Sequence, residues 1–450
     1  GVESLDRVEL GTRPALLRGA STRRPARRSR PAAATPVQRS ARRRRCYCKF
    51  HDHIARFAIV WIERDISPRL LALARERPVL VVTGARQVGK TSLLRRLFPD
   101  HRYASLDLPT DADLAERSPE EFLARYPPPV LVDEVQYAPA LFRHLKHWVE
   151  AHRDVRGRIV LTGSQKFVLM ESVGDSLAGR AGILDLDTLS LSEVRRALPE
   201  TAALDRTLRG GFPELWADRA LGARAFYRDY VATYLERDVR ALLRVSSLRD
   251  YERFVRACAL RSGSLLNKSE LARDVGISAS TAGEWLSVLQ ASSQVALVEP
   301  WFRNRTRSLT KTPKLYFCDT GLLLFLLNVG DPRELEASPL RGAIFETAVY
   351  GELRRWLALN DALDSLFFYR DRSREVDFLI HRGGRFDLLE CKTTELPRPD
   401  DTAGIVHAAA ALAPAPIDRR VVVCGTATPA PLAHGVRAIG LHAVAVGRPF

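Results

Sequence analysis

Eight consecutive residues, Gly84-Ala85-Arg86-Gln87-Val88-Gly89-Lys90-Thr91, satisfy the spacing G-x-x-x-x-G-K-[ST], a pattern whose chemistry is the cradling of phosphate groups. Glycines let backbone N–H groups close around phosphate oxygens, and a helix opening behind them adds partial positive charge. The amides from Gly84 to Ser92 are therefore expected to wrap a triphosphate. Lys90 would reach its β and γ groups and the Thr91 hydroxyl would ligate magnesium, so ATP and Mg²⁺ are the expected cofactors. The flanking elements fit the task. Val79 to Thr83, bounded by Pro78, reads as a buried strand, and Ser92 to Phe98 continues as a helix with apolar spacing.

A second apolar strand, Val130-Leu131-Val132, ends in Asp133-Glu134. An acid at the carboxyl end of a neighbouring parallel strand sits where Mg²⁺ needs a ligand. Asp133 is the candidate metal residue, and Glu134 would polarise the attacking water. A third strand, Arg158 to Ser164, ends in small polar residues, so Ser164 reads either as a sensor of the γ-phosphate or as a plain turn. Arg180, after Ser176-Leu177-Ala178-Gly179, reads either as a finger neutralising transition-state charge, in cis or from a neighbouring subunit, or as a solvated arginine.

A separate group of charged residues surrounds the turn Gly383-Gly384, between the apolar runs Val376 to His381 and Phe386 to Cys391. A regular two-residue hairpin would set Asp377 opposite Glu390, with Lys392 opposite Glu375 on the same side. Facing carboxylates repel unless a proton or a cation lies between them. The helix predicted over Leu340 to Leu357 carries Glu346 at the border of its apolar face, about 20° from Leu353, where a carboxylate needs a partner. Asp377, Glu390 and Lys392 resemble in spacing the PD-(D/E)XK nuclease core, in which the acids hold Mg²⁺ and the lysine orients water. Glu346, Asp377, Glu390 and Lys392 thus form a candidate second metal site. An edge hairpin with Lys392 bridging Glu390 and Glu375 is the alternative, and one bulge would shift the register.

Between these regions, Ser269 to Gly276 reads as a short capped helix and Ile277-Ser278 leads into a second helix through about Leu289. That is a helix-turn-helix pattern, with Val295 to Val298 and Lys314 to Phe317 as a wing. The second helix offers Ser278, Ser280, Thr281, Gly283 and Glu284 rather than the Arg, Asn or Gln that read bases. Arg303, Arg305, Arg307, Lys311 and Lys314 form a strip without acids that would grip DNA phosphates, or serve as a solvated hairpin on another domain.

The chain has 450 residues and a net charge of +16, from 69 basic and 53 acidic side chains. Residues 1–50 carry 14 Arg or Lys against Glu3, Asp6 and Glu9. The basic character is therefore chiefly that of the Arg-, Ala-, Pro- and Ser-rich tail, and it lends the remaining chain no nucleic-acid role. The tail is expected to be disordered, either as a basic arm or as residues preceding the true start. No stretch approaches the roughly 18 apolar residues of a membrane span, so a cytoplasmic protein is expected. The cysteines (Cys46, Cys48, Cys258, Cys318, Cys391, Cys424) fit neither a disulfide scaffold nor a zinc site. Only eight of the 69 basic residues are lysines, so each lysine is a candidate for a position that needs an ammonium.

Taken together, the motifs resemble a prokaryotic family of AAA-superfamily ATP-binding proteins that join a P-loop ATPase to a C-terminal domain of unknown function. The resemblance covers about residues 60 to 395. Besides the P-loop it rests on Leu131 to Gln136, Leu161 to Ser164, Leu177 to Arg180, Gly210-Gly211-Phe212-Pro213-Glu214, Tyr234 to Asp238, Pro313 to Gly321, Gly342 to Glu346 and Arg374 to Ile380. It implies ATP binding and hydrolysis and no physiological role. The expected α/β architecture is a disordered tail (1–55) and a P-loop, AAA-like parallel sheet with helices on both faces (56–200). A helical and winged-helix domain (201–335) and a nuclease-like α/β domain (336–450) would follow. The expected activity is a Mg²⁺-dependent ATPase. An ATP-regulated DNA-processing nuclease and a regulatory scaffold latched by ATP are the alternatives, with ATP, DNA or a second copy of the chain as partners and no membrane.

Overall fold

The β-branched run ahead of the phosphate-binding glycines folds as β1 (Val79–Thr83), every residue of which is buried. In this computed structural model the described residues are 61–164, 169, 173–174, 176–234, 248–302, 312–372 and 374–446. Beside β1 run β2 (Arg102–Ser105), β3 (Val130–Asp133), β4 (Ile159–Thr162) and β5 (Ala181–Asp185), all parallel, in the order β2-β3-β4-β1-β5. Alternation along β1 feeds both faces. Leu80 and Val82 join a core with Leu93 and Leu94 of the helix Lys90–Leu97, while Val79 and Val81 join Phe122, Phe142 and Leu145.

The expectation that the acidic strand neighbours the P-loop strand needs correcting. β4 lies between them, its Leu161 pairing with Val81 on one side and Val132 on the other. The polar end of β4 is thereby wedged between the P-loop and Asp133. Strand order is set by which apolar faces pack, and the chain between strands does not encode it locally.

Among the described residues a second sheet is built from β6 (Ser264–Leu265), β7 (Val295–Pro300), β8 (Lys314–Phe317), β9 (Leu366–Arg370), β10 (Glu375–Arg382), β11 (Arg385–Cys391), β12 (Ile417–Cys424), β13 (Ala430–Pro431) and β14 (Arg437–Gly440). Their order is β13-β14-β12-β11-β10-β9-β7-β8-β6. The predicted helix pair forms over Lys268–Val275 and Ala279–Ala291. Asn267 caps its first helix, accepting from the Ser269 and Glu270 amides, and Gly276 ends that helix at φ +83°. β7 and β8 pair antiparallel as the spacing predicts, yet β7 also pairs with β9 through Glu299↔Phe367. The hairpin is therefore part of the C-terminal sheet rather than a free wing. The β10–β11 turn has both glycines at positive φ, 57° and 77°, and the register Phe378↔Leu389 to Arg382↔Arg385 that a two-residue turn imposes.

The helix predicted near Leu340 runs from Arg341 to Leu359 and packs against both β8 and β11. The tail, Leu235 to Asp238 and the basic Arg303, Arg305, Arg307 and Lys311 lie outside the described residues. Among the described residues no helix is long and apolar enough to cross a membrane.

Candidate nucleotide site and C-terminal charge cluster

The glycine loop has the backbone that a phosphate cradle requires. Gly84 takes φ +136°, and a Cβ there would stand 2.2 Å from the Leu186 carbonyl oxygen, so only glycine fits. Gly89, at φ +89°, opens the helix Lys90–Leu97. Lys90 is 6% exposed. Its ammonium donates to the carbonyls of Gly84 (3.0 Å) and Ala85 (2.9 Å), which hold it across the mouth of the loop. Buried Arg64 fastens the loop from outside, donating to the Val88 carbonyl at 3.0 Å and the Asp187 carbonyl at 2.6 Å.

At the same carboxyl end of the sheet, Thr91 Oγ1 donates to Asp133 Oδ2 at 2.8 Å. Two residues to which the sequence alone assigns no role complete the setting: Tyr103 donates to Asp133 Oδ2 at 3.0 Å and Thr162 donates to Asp133 Oδ1. The adjacent Glu134 is held at φ +54°. Its Oε2 accepts from the Ser164 amide (3.2 Å), the Ser164 hydroxyl (3.0 Å) and the Gln136 side chain. Burial alone would raise the Glu134 carboxyl, but Lys90, the bonds from Gln136 and Ser164, and Arg86 outweigh it and hold the group below its ordinary value. Glu134 is therefore an anion facing the P-loop lysine.

Arg180 lies elsewhere. It precedes β5 at the end of the sheet opposite the P-loop, where its carbonyl accepts from the Val79 amide at 3.4 Å and its guanidinium pairs with Glu150 at 2.7 Å. The five residues of β1 span about 16 Å, so from this place the side chain does not reach phosphates on its own chain.

A cover over the P-loop comes from Gly210 to Glu214. A Cβ on Gly89 would stand 3.8 Å from Pro213 Cγ. Asp319, buried after β8, holds this cover, accepting from the Gly211 amide (2.7 Å), the Tyr227 hydroxyl (2.6 Å) and Thr188 Oγ1 (3.2 Å) while capping the helix Thr320–Leu326 through the Leu322 amide (3.0 Å). Gly210 and Gly321 are glycines for the same reason: a Cβ on either would meet the Tyr227 hydroxyl, at 1.9 and 2.4 Å. Asp319→Ala strands these donors and is expected to lower stability by about 2–4 kcal/mol, read from the urea midpoint at constant slope.

In the C-terminal half, Glu346, Asp377, Glu390 and Lys392 come together around Lys314, a residue expected on the wing. Lys314, 4% exposed by its side chain, puts its Nζ 2.9 Å from Glu346 Oε1, 2.5 Å from Glu375 Oε1 and 3.3 Å from Asp377 Oδ1. It therefore does not belong to a phosphate-gripping strip. Lys392 pairs with Glu390 at 2.8 Å, and Asp377 Oδ2 accepts from the Cys391 amide at 2.9 Å. The bridge of Lys392 to Glu375 does not form; Glu375 pairs with Lys314 and with Arg370 at 3.2 Å.

Burial, then Asp377, pushes the Glu390 carboxyl up to about 8, and the same two causes push Glu346 up to about 7. The folded chain then keeps protons that the unfolded chain releases near 4.5, so these groups make stability fall as pH rises from about 5 to 8. Glu390→Gln is expected to flatten that fall by on the order of 1 kcal/mol. Urea unfolding of parent and variant at both pH values measures it.

Three families match successive parts of the chain: the AAA domain over residues 76–195, and two domains of unknown function, DUF8612 over 200–333 and DUF4143 over 341–444. Uncharacterized protein Rv2008c of Mycobacterium tuberculosis is 32% identical over 349 residues, spanning 76% of this chain and 77% of that protein, and Mb2031c of Mycobacterium bovis matches equally. Among solved structures, the Walker-type ATPase PABY2304 of Pyrococcus abyssi aligns at 16% identity with a TM-score of 0.41, over 59% of this chain and 96% of that one. The RuvB branch-migration motor of Thermotoga maritima aligns at 18% identity with a TM-score of 0.28, over 52% and 89%. The chain belongs to the family of these mycobacterial proteins, and its first sheet is an AAA domain.

Proposed function

We propose that the protein binds ATP with Mg²⁺ in the loop Gly84–Thr91 and hydrolyses it. The observation that carries this reading is the convergence of Lys90, the Thr91–Asp133 pair at 2.8 Å and ionised Glu134 at the carboxyl end of the parallel sheet. The loop amides and the Lys90 ammonium would bind the phosphates, and Glu134, fixed by Ser164 and Gln136, would orient a water for in-line attack. Thr91 and Asp133 are one hydroxyl and one carboxylate, a donor set that suits Mg²⁺, which retains most of its waters; when bound it would neutralise charge on the phosphates. Phosphate release from ATP, measured with Mg²⁺ and with chelator, tests the reading. No release in either condition, together with no ATP binding, would end it.

A second reading, ATP as a conformational latch, draws support from Asp319, which joins the cover of the P-loop to the strand entering the C-terminal sheet. ATP-dependent change in oligomer size with slow turnover would favour it. A homo-oligomer is also the route left to the predicted finger role of Arg180, because its own P-loop lies at the far end of the sheet. DNA contact through the middle region loses Lys314, which is buried in ion pairs.

A further inference from the structure

Four acids meet in the C-terminal half, and the nuclease-like spacing calls for a divalent cation among them. The donor geometry argues otherwise. Mg²⁺ holds oxygens at about 2.0–2.1 Å and Ca²⁺ at about 2.3–2.6 Å. Here Glu375 Oε1, Glu346 Oε1 and Asp377 Oδ1 surround the Lys314 nitrogen at 2.5, 2.9 and 3.3 Å, which are N–H···O distances. An ammonium has three donors, and three carboxylates meet it.

The surroundings close on the same atom. The Tyr316 hydroxyl donates to Glu346 Oε1 at 2.5 Å, and the ring of Phe368 lies with its centroid 5.6 Å from Lys314 Nζ. Lys392, which the nuclease pattern would aim at a water, is spent on Glu390. Glu390 Oε2 is buried without a hydrogen-bond partner among the described residues, but one oxygen is no coordination shell.

Composition points the same way. The chain has 61 arginines and eight lysines, so a basic position that tolerates either would here be arginine. A planar guanidinium fork cannot converge on three carboxylates that surround one point, whereas an ammonium can.

We propose that Lys314 is the resident cation of the C-terminal carboxylate cluster, tying β8 to the helix Arg341–Leu359 and to β10, and that the cluster takes up no divalent metal. The C-terminal sheet then keeps a nuclease-like arrangement of acids as a clamp rather than a catalytic centre. β8 is fixed at its first residue by this clamp, and five residues later Asp319 holds the cover of the P-loop. The clamp and the nucleotide site thus share one short segment.

The test is Mn²⁺ binding to the full chain without nucleotide, followed by electron paramagnetic resonance, in the parent and in Asp377→Asn. The expected result is equal bound Mn²⁺ in both. One Mn²⁺ per chain that disappears in Asp377→Asn would overturn the proposal, as would Mg²⁺-dependent plasmid cleavage lost in the same variant. A second measurement compares urea midpoints of Lys314→Met and of Lys314→Met combined with Glu346→Gln. If the ammonium neutralises the cluster, removing one acid restores part of the lost midpoint; a double variant no more stable than the single one contradicts it. Should Lys314→Met not fold, the Mn²⁺ comparison decides alone.

Discussion

Lys90→Ala is expected to weaken ATP binding at least about 100-fold, equivalent to roughly 2.7 kcal/mol. The magnitude follows from burial. At 6% exposure the ammonium is screened little by water, and charge-assisted bonds to phosphate exceed neutral ones. It already donates to the carbonyls of Gly84 and Ala85, so the side chain spans the loop and needs little ordering when phosphate arrives. Lys90→Arg should bind poorly as well, since the longer planar group does not fit between two carbonyls of a tight loop. Equilibrium titration with a fluorescent ATP analogue, after circular dichroism has shown the fold retained, measures both. An affinity within threefold of the parent would remove Lys90 from the site.

The P-loop was legible because its chemistry is local. Glycines at 84 and 89, the lysine and the threonine occupy one continuous turn, and the backbone angles they permit are the angles observed. Strands β1, β3 and β4 were legible for the same reason, as short β-branched runs that bury every residue. What failed was adjacency. Thr162 and Tyr103 lie 29 and 30 positions from Asp133 and reach it only because β4 and β2 flank β3.

Lys314 shows the same limit more sharply. Its sequence neighbours on one side are basic, which suggested a solvated strip, while its spatial neighbours come from positions 346, 375 and 377. The sequence does carry one signal. Lys314 opens the run Lys-Leu-Tyr-Phe, otherwise apolar, in a chain that has few lysines, and a charge in a buried strand must have a partner. Asp319 gave less warning, because an acid before a helix is an ordinary cap; its second duty, to the Gly211 amide 108 positions away, is a property of the packed fold alone.

Glu134→Gln is expected to lower turnover by about 10² to 10⁴ while leaving ATP affinity within threefold of the parent. Glutamine matches glutamate in shape, and its oxygen can keep accepting from Ser164 and Gln136, so the backbone at φ +54° has no reason to rearrange. What is lost is the negative charge facing the water. Because Lys90 and the bonds from Gln136 and Ser164 overcome the effect of burial and hold Glu134 below its ordinary value, the group is already ionised through the neutral range. Raising pH from 6 to 8 should therefore add no Glu134-dependent gain in turnover, and an inflection there must come from another group. The pair of measurements separates two roles. Loss of turnover with binding intact assigns Glu134 to the water; equal loss of both would place it instead in the support of Lys90, with which it interacts electrostatically.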